Sequence, residues 1–383
     1  MTNKYSNIGA TLAIAKASLK SILRSPSAVI FSLAFPLIFI LVFGFIGGGG
    51  VTVDVGVAKT CDTVNPVYKA LEKVKLLKLI KDQSTADMNA ELVKGSIDVI
   101  IDIRKTGNDW ILQPPLSALP NKSPFIVNVQ YTKASIKGSS IFKTMLNNIL
   151  NDIESGFRKK LSGKEEFPAF AELKETSISG REYKTIDFIL PGQLGFSLLS
   201  TGVFGTAFVF LSLRITLVIK RFFATPVKRY SIVIGEALAR ITFSLMGALF
   251  IILIGHFAFG FTLIHGFVTV INMLILSVIG IIVFMGFGFT VSGIAKTEST
   301  VPPIANIITL PQFLLSGTFF SINAFPKWLQ PISRALPLTY LNDAMRKVAF
   351  EGAGLFDVTH QLLILLIWGI VIYTIAVKTF KWE

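Results

Sequence analysis

The sequence predicts a polytopic α-helical membrane protein with six transmembrane helices and an α/β extracytoplasmic domain between the first and second spans. Of its residues, 52% are hydrophobic and only 16% are charged, whereas about a quarter of the residues of a soluble domain are charged. The mean hydropathy is +0.64, and the apolar residues are concentrated in blocks. A long polar stretch, 47–185, follows the first block. A membrane-spanning chain with one large polar insertion accounts for all of these observations.

Six apolar blocks are candidates for crossing a membrane. They are residues 28–46, 186–213, 241–264, 267–295, 301–320 and 361–377. A helix needs about 20 apolar residues to cross a hydrocarbon core ~30 Å thick. The second block contains Pro191, which a transmembrane helix tolerates where neighbouring helices satisfy the freed backbone groups. The first block ends in a run of glycines rather than a cleavage pattern, so we expect it to remain as the first span.

Basic residues beside the blocks predict the orientation of the chain. Short loops rich in Lys and Arg remain in the cytoplasm, whereas a long domain crosses the membrane whatever its charge. Most of these residues flank the two termini and the loop between the second and third spans, among them Lys16, Lys20, Lys228 and Lys378. We therefore expect both termini in the cytoplasm and residues 47–185 outside. These flanks also account for the net charge of +14, so we expect no nucleic-acid partner.

The polar stretch 47–185 has the pattern of a folded α/β domain. Runs rich in β-branched residues predict strands, and amphipathic runs between and after them predict helices. The strands are expected at 51–57, 98–103 and 126–131, and the helices at 65–75, 84–94 and 137–161. Strands alternating with helices favour a mixed sheet covered by helices. We interpret the polar run 162–185 as a linker that returns the chain to the membrane.

Residues 1–27 predict an amphipathic helix at the cytoplasmic membrane surface. Lys16, Lys20 and Arg24 stand four residues apart on one face, and Ser25-Pro26 closes the pattern. The apolar residues at helical spacing are Ile8, Leu12, Ala15, Leu19, Ile22 and Leu23. A helix of this kind lies in the interface with its basic face toward anionic headgroups of membrane lipids. The alternative is a soluble amphipathic helix packed on a partner.

The sequence contains no ATP-binding motif. A loop that cradles phosphates requires G-x-x-x-x-G-K-[ST] between a strand and a helix. The nearest fragment, Ser162-Gly163-Lys164-Glu165, lacks the first glycine and the hydroxyl. Any ATP hydrolysis must therefore be carried out by another polypeptide. We expect this chain itself to have no catalytic site and to bind no cofactor or metal.

Several polar residues near the spans have ordinary explanations. The spacing of His256, His265 and His360 does not support a metal site, so we interpret them as interfacial histidines. Glu236 and Arg240 stand four residues apart at the start of the third span, and we expect them to form an intrahelical ion pair.

Four residues within the spans have two open interpretations. They are Gln193, Asn306, Pro311 and Gln312. The first interpretation is helix packing and hydrogen bonding between spans, which small and amide side chains support in membranes. The second is the lining of a substrate path through the membrane.

Three motifs occur in order along the chain, each on its expected side of the membrane. They are Arg221-Phe222-Phe223-Ala224-Thr225-Pro226-Val227-Lys228-Arg229; Leu315-Ser316-Gly317-Thr318-Phe319-Phe320 followed by Phe325-Pro326-Lys327-Trp328-Leu329; and Leu336-Pro337-Leu338-Thr339-Tyr340-Leu341 with Arg346 beyond it. Together with the layout of spans, they resemble the membrane subunits, or permeases, of ABC exporters of the ABC-2 type. The resemblance covers nearly the whole chain and points to the subgroup with a large extracytoplasmic domain after the first span.

The resemblance implies a contact with an ABC ATP-binding subunit. In the family, the first motif is a short cytoplasmic coupling helix, near 215–229 here, that docks into a groove on the ATPase. The docking residues so implied are Arg221, Phe222, Phe223, Thr225, Pro226, Lys228 and Arg229. ATP and Mg²⁺ would be bound by that partner. The resemblance also implies a homodimer, or a heterodimer with a similar permease, and short outer re-entrant helices near 321–360.

The implied function is export of a hydrophobic or amphipathic substrate by alternating access across a bacterial inner membrane. In this interpretation the chain is a transporter subunit, and its partner hydrolyses ATP. An alternative from another class is a membrane-anchored receptor or assembly factor whose outer domain binds a ligand without transport. That alternative explains the outer domain but leaves the motif at 221–229 unexplained.

Overall fold

The computed structural model describes residues 6–46, 53–81, 83–95, 97–106, 123–132, 135–160, 169–178 and 184–380. The chain forms two compact units. We call Gly49–Lys184 the α/β unit, and Met1–Gly48 together with Thr185–Glu383 the helical unit.

The elements follow one another along the chain with short connections. Before and within the α/β unit they are α1 Asn7–Leu23, α2 Pro26–Ile46, β1 Val53–Val57, α3 Pro66–Glu72, β2 Leu77–Ile80, α4 Thr85–Lys94, β3 Val99–Lys105, β4 Phe125–Thr132, α5 Ile136–Lys160 and β5 Ala171–Ile178. The helical unit continues with α6 Thr185–Ser200, a π-helical turn Thr201–Gly205, α7 Thr206–Ile215, α8 Val218–Phe223, α9 Arg229–Phe259, α10 Phe267–Ile294, α11 Val301–Leu315, α12 Gln330–Ala335, α13 Pro337–Arg346, a second π-helical turn Lys347–Glu351 and α14 Thr359–Thr379.

The α/β unit is built on a mixed sheet of order β2-β1-β3-β4-β5. β1 pairs in parallel with β2 and β3, β3 pairs antiparallel with β4, and β4 pairs in parallel with β5. Alternate residues of the strands, such as Val55 and Ile101, form one core with α3 and α5. Ile100 faces the other way and packs with Met88 and Leu92 of α4. Helices therefore contribute to both faces of the sheet, because side chains alternate between faces along a strand.

Two strands differ from the sequence prediction. The run 162–185 was expected to be a linker, but its residues Ala171–Ile178 form β5, paired along their whole length with β4. The prediction was wrong because β5 is an edge strand, and most of its side chains are exposed and polar. β2 was not predicted at all. Residues 51–52 of the predicted first strand, and 162–168 and 179–183 of the predicted linker, lie outside the described residues.

Four helical stretches of the described chain are long and apolar enough to cross a membrane. They are Thr185–Ile215, Arg229–Phe259, Phe267–Ile294 and Thr359–Thr379, with 31, 31, 28 and 21 residues. At about 1.5 Å per residue, 20 residues extend about 30 Å. Of the other two predicted blocks, 28–46 falls within α2, which contains a shorter apolar stretch at Leu33–Val42. The block 301–320 forms α11, which ends at Leu315.

Glycines of α10 allow its neighbours to pack closely. A Cβ added to Gly288 would lie 2.6 Å from the carbonyl oxygen of Gly202 in the first π-helical turn. Gly280, Gly286 and Gly293 likewise lie against Leu341, Ile372 and the backbone of Thr379. Small residues at helix contacts bring backbones close together, which is how membrane helices gain van der Waals contact.

Helix α1 packs along α9 of the same chain. A Cβ on Gly235 of α9 would lie 2.8 Å from Ile14 Cγ2 and 3.0 Å from the Thr11 carbonyl oxygen. Ile8 and Leu12, which belong to the predicted apolar face, are exposed, because the face in contact with α9 contains Thr11 and Ile14. The predicted position of α1 at the membrane surface stays a prediction.

Candidate functional site

The ends of α7, α10 and α14 lie together at one end of the helical unit, which we call the basic end. Arg214, in the last turn of α7, donates a hydrogen bond from Nη2 to the Ala295 carbonyl oxygen at 2.5 Å. Ala295 is the C-cap residue of α10. A charged donor at a helix C-terminus satisfies a carbonyl that has no partner within the helix. The end of α7 is therefore attached to α10 just before the chain enters the segment 215–229.

The segment 215–229 contains one short helix and an irregular turn. α8 covers only Val218–Phe223, so it is shorter than the coupling element expected from the resemblance. The exposed side chains of the segment include those of Arg221, Thr225, Pro226, Lys228 and Arg229. The side chains of Phe222 and Phe223 lie outside the described residues. The basic residues expected at the docking surface are therefore accessible on one short stretch of chain.

Leu217 connects α7 to α8 in an unusual backbone conformation. Its φ is +58°, and among the non-glycine residues that the structure describes it is the only one with a positive φ. A left-handed conformation costs an L-residue about 1–2 kcal/mol. The side chain is 52% exposed, so burial does not repay this cost. The turn between the two helices is thus held by its surroundings, and strained residues of this kind cluster at functional sites.

At the opposite end of the helical unit, the second and third sequence motifs come together with the start of α6. Arg346 donates from Nε and Nη2 to the Phe188 carbonyl oxygen at 3.1 and 3.0 Å, and from Nη2 to the Gly317 carbonyl oxygen at 2.6 Å. The Asn342 amide donates to the Thr318 hydroxyl at 3.3 Å. A Cβ on Gly192 would lie 2.7 Å from the Thr318 carbonyl oxygen. We call this group the far-end clamp; it joins α6, the turn after α11 and α13.

The four residues expected along a substrate path fall into two pairs. Gln193 is 0% and Gln312 2% exposed. Both amide atoms of Gln193 and the Oε1 of Gln312 are buried without a hydrogen-bond partner. Asn306 and Pro311 are instead exposed on α11. The structure therefore does not place all four on one surface: two amides lie in the interior of the helical unit, and two residues lie on its outside.

A cluster of phenylalanine rings, which sequence reasoning missed, joins α2, α6 and α11. The rings are those of Phe35, Phe39, Phe196, Phe313 and Phe319, which we call the aromatic cluster. The centroids of Phe196 and Phe313 are 3.9 Å apart, those of Phe313 and Phe319 4.8 Å, and those of Phe35 and Phe196 5.6 Å. Every ring of the cluster except Phe313 is partly exposed. Only the i, i+4 spacing of Phe35 and Phe39 was visible in the sequence, because the other rings come from distant positions.

The sequence matches, over residues 26–378, the family described as ABC-2 family transporter protein. This chain belongs to the ABC-2 transporter family. It is similar to "ABC transporter G family member 20" of Dictyostelium discoideum, with 22% identity over 96% of this chain, and spans 50% of that protein. It is also similar to "Linearmycin resistance permease protein LnrN" of Bacillus subtilis (strain 168), with 20% identity over 97% of this chain and 99% of that protein. The resemblance drawn from the three motifs is confirmed.

Membership of the ABC-2 family establishes the general nature of the molecule. It is the transmembrane, permease-type part of an ABC transporter, and the family implies an ATP-binding partner in general. The chain spans only half the length of the Dictyostelium relative.

The expected ion pair between Glu236 and Arg240 of the ABC-2 chain is not formed. The Glu236 carboxylate instead accepts a hydrogen bond from the Ser18 hydroxyl of α1, with Oγ and Oε2 2.6 Å apart. Arg240 makes no hydrogen bond or ion pair with any residue that the structure describes, and its Nε is buried without a partner. The prediction was wrong because the spacing of four residues was the only information available, and the contact of α1 with α9 supplies a competing donor.

Two carboxyl groups meet inside the α/β unit of this ABC-2 protein. Asp98 accepts the Asp54 backbone N–H at 2.7 Å with Oδ2 and the Ser135 hydroxyl with Oδ1. Burial raises the pKa of Asp98 above its ordinary value of 3.8, although these two hydrogen bonds oppose the shift. Burial also raises the pKa of Asp54, against the opposing effect of Lys78, whose Nζ lies 3.6 Å from Asp54 Oδ1. Asp98 therefore joins β1 to the residue that precedes α5.

The three histidines have structural partners. His256 Nδ1 lies 2.8 Å from the Phe261 carbonyl oxygen, and His265 Nε2 lies 3.2 Å from that of Gly352. The His360 ring packs edge-on against Tyr340. In the described ranges of the chain no group of three potential metal ligands comes together.

Proposed function

We propose that this ABC-2 chain is the membrane-spanning subunit of an ATP-driven exporter and docks on its ATPase through the segment 215–229. The observation that carries the proposal is the exposure of Arg221, Lys228 and Arg229 next to α7, which Arg214 attaches to α10. A docking element can transmit movement only if it is attached to the helices that must move. The strained turn at Leu217 gives α8 a fixed exit from α7 and supports the same role.

We further propose six spans, with both termini in the cytoplasm of a bacterial cell and the α/β unit outside its inner membrane. The four long helices supply four of the spans. α2, with 21 residues, is long enough to be the first, and α11 with the turn that follows it would be the fifth. The basic end would then face the cytoplasm, in accord with the preference of Lys and Arg for that side.

The proposed substrate is hydrophobic or amphipathic. Partly exposed rings in the aromatic cluster offer an apolar surface, and aromatic pairs at these distances contribute about 0.5–1.5 kcal/mol beyond their burial. The amides of Gln193 and Gln312, buried and incompletely hydrogen-bonded, would bind polar atoms of the substrate when the helices part. The Bacillus subtilis relative is named for resistance to linearmycin, a function that export can serve. Alternating access between the two sides of the membrane is the proposed mechanism.

The proposed assembly contains two permeases, either two copies of this chain or this chain with a similar one. Asn306 lies on a face of α11 that also exposes Ile307, Leu310 and Leu314. An amide that faces lipid loses hydrogen bonds that it would make with water, whereas an Asn can hydrogen-bond across a helix contact in a membrane. This face of α11 is therefore the proposed contact with the second permease.

Purification from native membranes tests the central proposal. A tagged chain, extracted in mild detergent, should bring an ABC ATP-binding subunit with it, and the complex should hydrolyse ATP. The same chain stripped of its partner should hydrolyse none, because the sequence has no phosphate-binding loop. Hydrolysis that persists after every co-purifying ATPase has been removed would contradict the proposal, and so would a chain that transports its substrate without such a partner.

A further inference from the structure

A buried polar group links helix α1 to the first π-helical turn through α9. Glu236 is 7% exposed, and the Ser18 hydroxyl is its hydrogen-bond partner in the structure. Arg240, one turn further along α9, is 4% exposed. Its guanidinium occupies the space where a side chain on Gly205 would be, and Nη1 is the atom that an added Cβ would meet first. Gly205 is the last residue of the π-helical turn, so α9 carries one charged side chain toward α1 and another toward the turn.

The positions of these residues allow a second arrangement. Side chains four residues apart on a helix are neighbours, with Cβ atoms about 5–6 Å apart, so Glu236 can reach Arg240 by changing rotamers alone. A buried charge without a partner is costly, and Arg240 is such a charge in this structure. The Glu236 carboxylate therefore has two competing donors: the Ser18 hydroxyl and the Arg240 guanidinium.

We propose that Ser18, Glu236 and Arg240 are positioning residues that couple α1 to the π-helical turn Thr201–Gly205, with the Glu236 carboxylate exchanging between Ser18 and Arg240. In the arrangement of this structure, α1 is held by Glu236 and the guanidinium lies against Gly205. In the other arrangement, Glu236 pairs with Arg240, Ser18 loses its acceptor, and the space beside Gly205 is vacated. One carboxylate cannot fully satisfy both donors, so the two contacts are mutually exclusive.

The surroundings of the π-helical turn support a change of shape there. π-helical turns inside helices are rare and frequent at functional sites. On the side toward α10, Gly288 packs against the carbonyl oxygen of Gly202. The hydroxyl of Thr206, directly after the turn, is buried without a hydrogen-bond partner. A role for this exchange in transport rests on the proposed function, whereas the exchange itself is a property of the chain alone.

A thermal unfolding cycle on the purified full chain in detergent tests the exchange without any ATPase. The melting temperature is followed by tryptophan fluorescence, since Trp328 and Trp368 lie in the helical unit. Arg240→Met should raise the melting temperature of the otherwise native chain, because it removes a buried cation that has no partner. In a Ser18→Ala background the same substitution should lower it, because there Arg240 pairs with Glu236. Ser21→Ala, at an exposed position of the same helix, is the control background and should behave like the native chain.

The Glu236→Gln background decides whether the carboxylate is the link. In that background Arg240→Met should raise the melting temperature whether residue 18 is Ser or Ala. Shifts of the same sign in the native and Ser18→Ala backgrounds overturn the proposal, as does a reversal of sign that persists with Gln at 236. An Arg240→Met chain that cannot fold in the native background also overturns it, because stabilisation is expected there.

Hydrogen exchange of α1 is the second measurement and does not depend on Arg240 variants. Gly205→Ala places a methyl group where the guanidinium lies and should drive Arg240 toward Glu236, so the amides of Asn7–Leu23 should exchange faster. Gly247→Ala is the matched control, because its added Cβ would make only an ordinary contact with Leu33. Faster exchange that remains when Gly205→Ala is combined with Glu236→Gln, or unchanged exchange in Gly205→Ala itself, overturns the proposal.

Discussion

Arg346 donates a hydrogen bond from its guanidinium to the carbonyl oxygen of Gly317, at 2.6 Å. Gly317 has a φ of +75°, a backbone conformation that turns the chain after α11. Because Arg346 also donates to the Phe188 carbonyl oxygen, one side chain fixes the turn against the start of α6. The second and third motifs of the family are thus two parts of a single structural contact, the far-end clamp.

Arg346→Lys should weaken the far-end clamp although it keeps the positive charge. An ammonium group cannot reproduce the planar fork of donors that arginine directs at two carbonyls, and a hydrogen bond from a charged group is worth about 1.5–3 kcal/mol. We expect the melting temperature of the purified chain to fall by several degrees. Arg334→Lys is the control, since Arg334 is exposed and its side-chain contact with Gln330 is long, at 3.5 Å. Equal melting temperatures for the two variants would show that the fork is not needed.

Leu217→Gly should leave the stability of the chain unchanged or raise it slightly. Glycine relieves the strain of a left-handed backbone, about 1–2 kcal/mol, which offsets the about 0.5–1 kcal/mol of conformational freedom that it loses on folding. Ile215→Gly, two residues earlier at the end of α7, should be destabilising by about 1 kcal/mol, because it gains no such relief. The two variants are compared by thermal unfolding. A larger loss for Leu217→Gly would contradict the strain assigned to this turn.

The double substitution Phe222→Ala and Phe223→Ala should separate the chain from its ATPase while leaving it inserted and folded. Aromatic anchors dominate protein interfaces, and truncation of one costs about 2 kcal/mol or more, which is roughly a thirtyfold loss of affinity. Co-purification of the partner and ATP hydrolysis by the complex are the measurements. Tyr230→Ala, another aromatic residue at the basic end and 50% exposed, is the control. A double variant that retains its partner would remove the docking role from these two residues.

A cysteine placed in each unit should report the orientation of the chain. In a Cys61→Ala background, Lys73→Cys in the α/β unit should react with a membrane-impermeant thiol reagent applied to the outer face. Lys228→Cys at the basic end should react only after the membrane has been permeabilised. Both native lysines are exposed, so access to the reagent depends on the side of the membrane rather than on burial. The reverse labelling pattern would invert the proposed topology.

Asp98→Asn should make the stability of the α/β unit less dependent on pH. A carboxyl group with a raised pKa binds its proton more tightly in the folded state, so its contribution to stability is fully present below about 3.8 and is lost as the pH rises through the folded value. Asparagine keeps an acceptor for the Asp54 N–H and cannot ionise. Protease resistance of the unit during heating, at pH 4 and pH 7, should therefore differ less in the variant than in the native chain. Asp152→Asn, at an exposed position of α5, should keep the native difference.

Some elements were predictable because their cause is local in the sequence. The runs at 98–103 and 126–131 appear within β3 and β4, and the amphipathic run 137–161 appears as α5, because residue type and periodicity specify strands and helices of this kind. β5 escaped prediction because an edge strand needs only one hydrogen-bonded neighbour, so polar residues such as Glu172 and Lys174 are tolerated. In the candidate site, the exposure of Lys228 and Arg229 followed from their charge. The burial of Gln193 did not, because nothing local distinguishes an amide inside the helical unit from one on its surface.

The sequence by itself determined the long apolar helices, the polar insertion after the first of them and the family, because hydropathy and motif order are properties of consecutive residues. Only the tertiary structure decided which of the polar side chains meet. It gave the Glu236 carboxylate to Ser18 rather than to Arg240, and it joined Arg346 to Gly317 and Phe188. It also gathered Phe35, Phe196 and Phe313 into one cluster. These contacts join residues far apart in the chain, and a side chain chooses among competing partners by distance and burial, which exist only after the helices have packed.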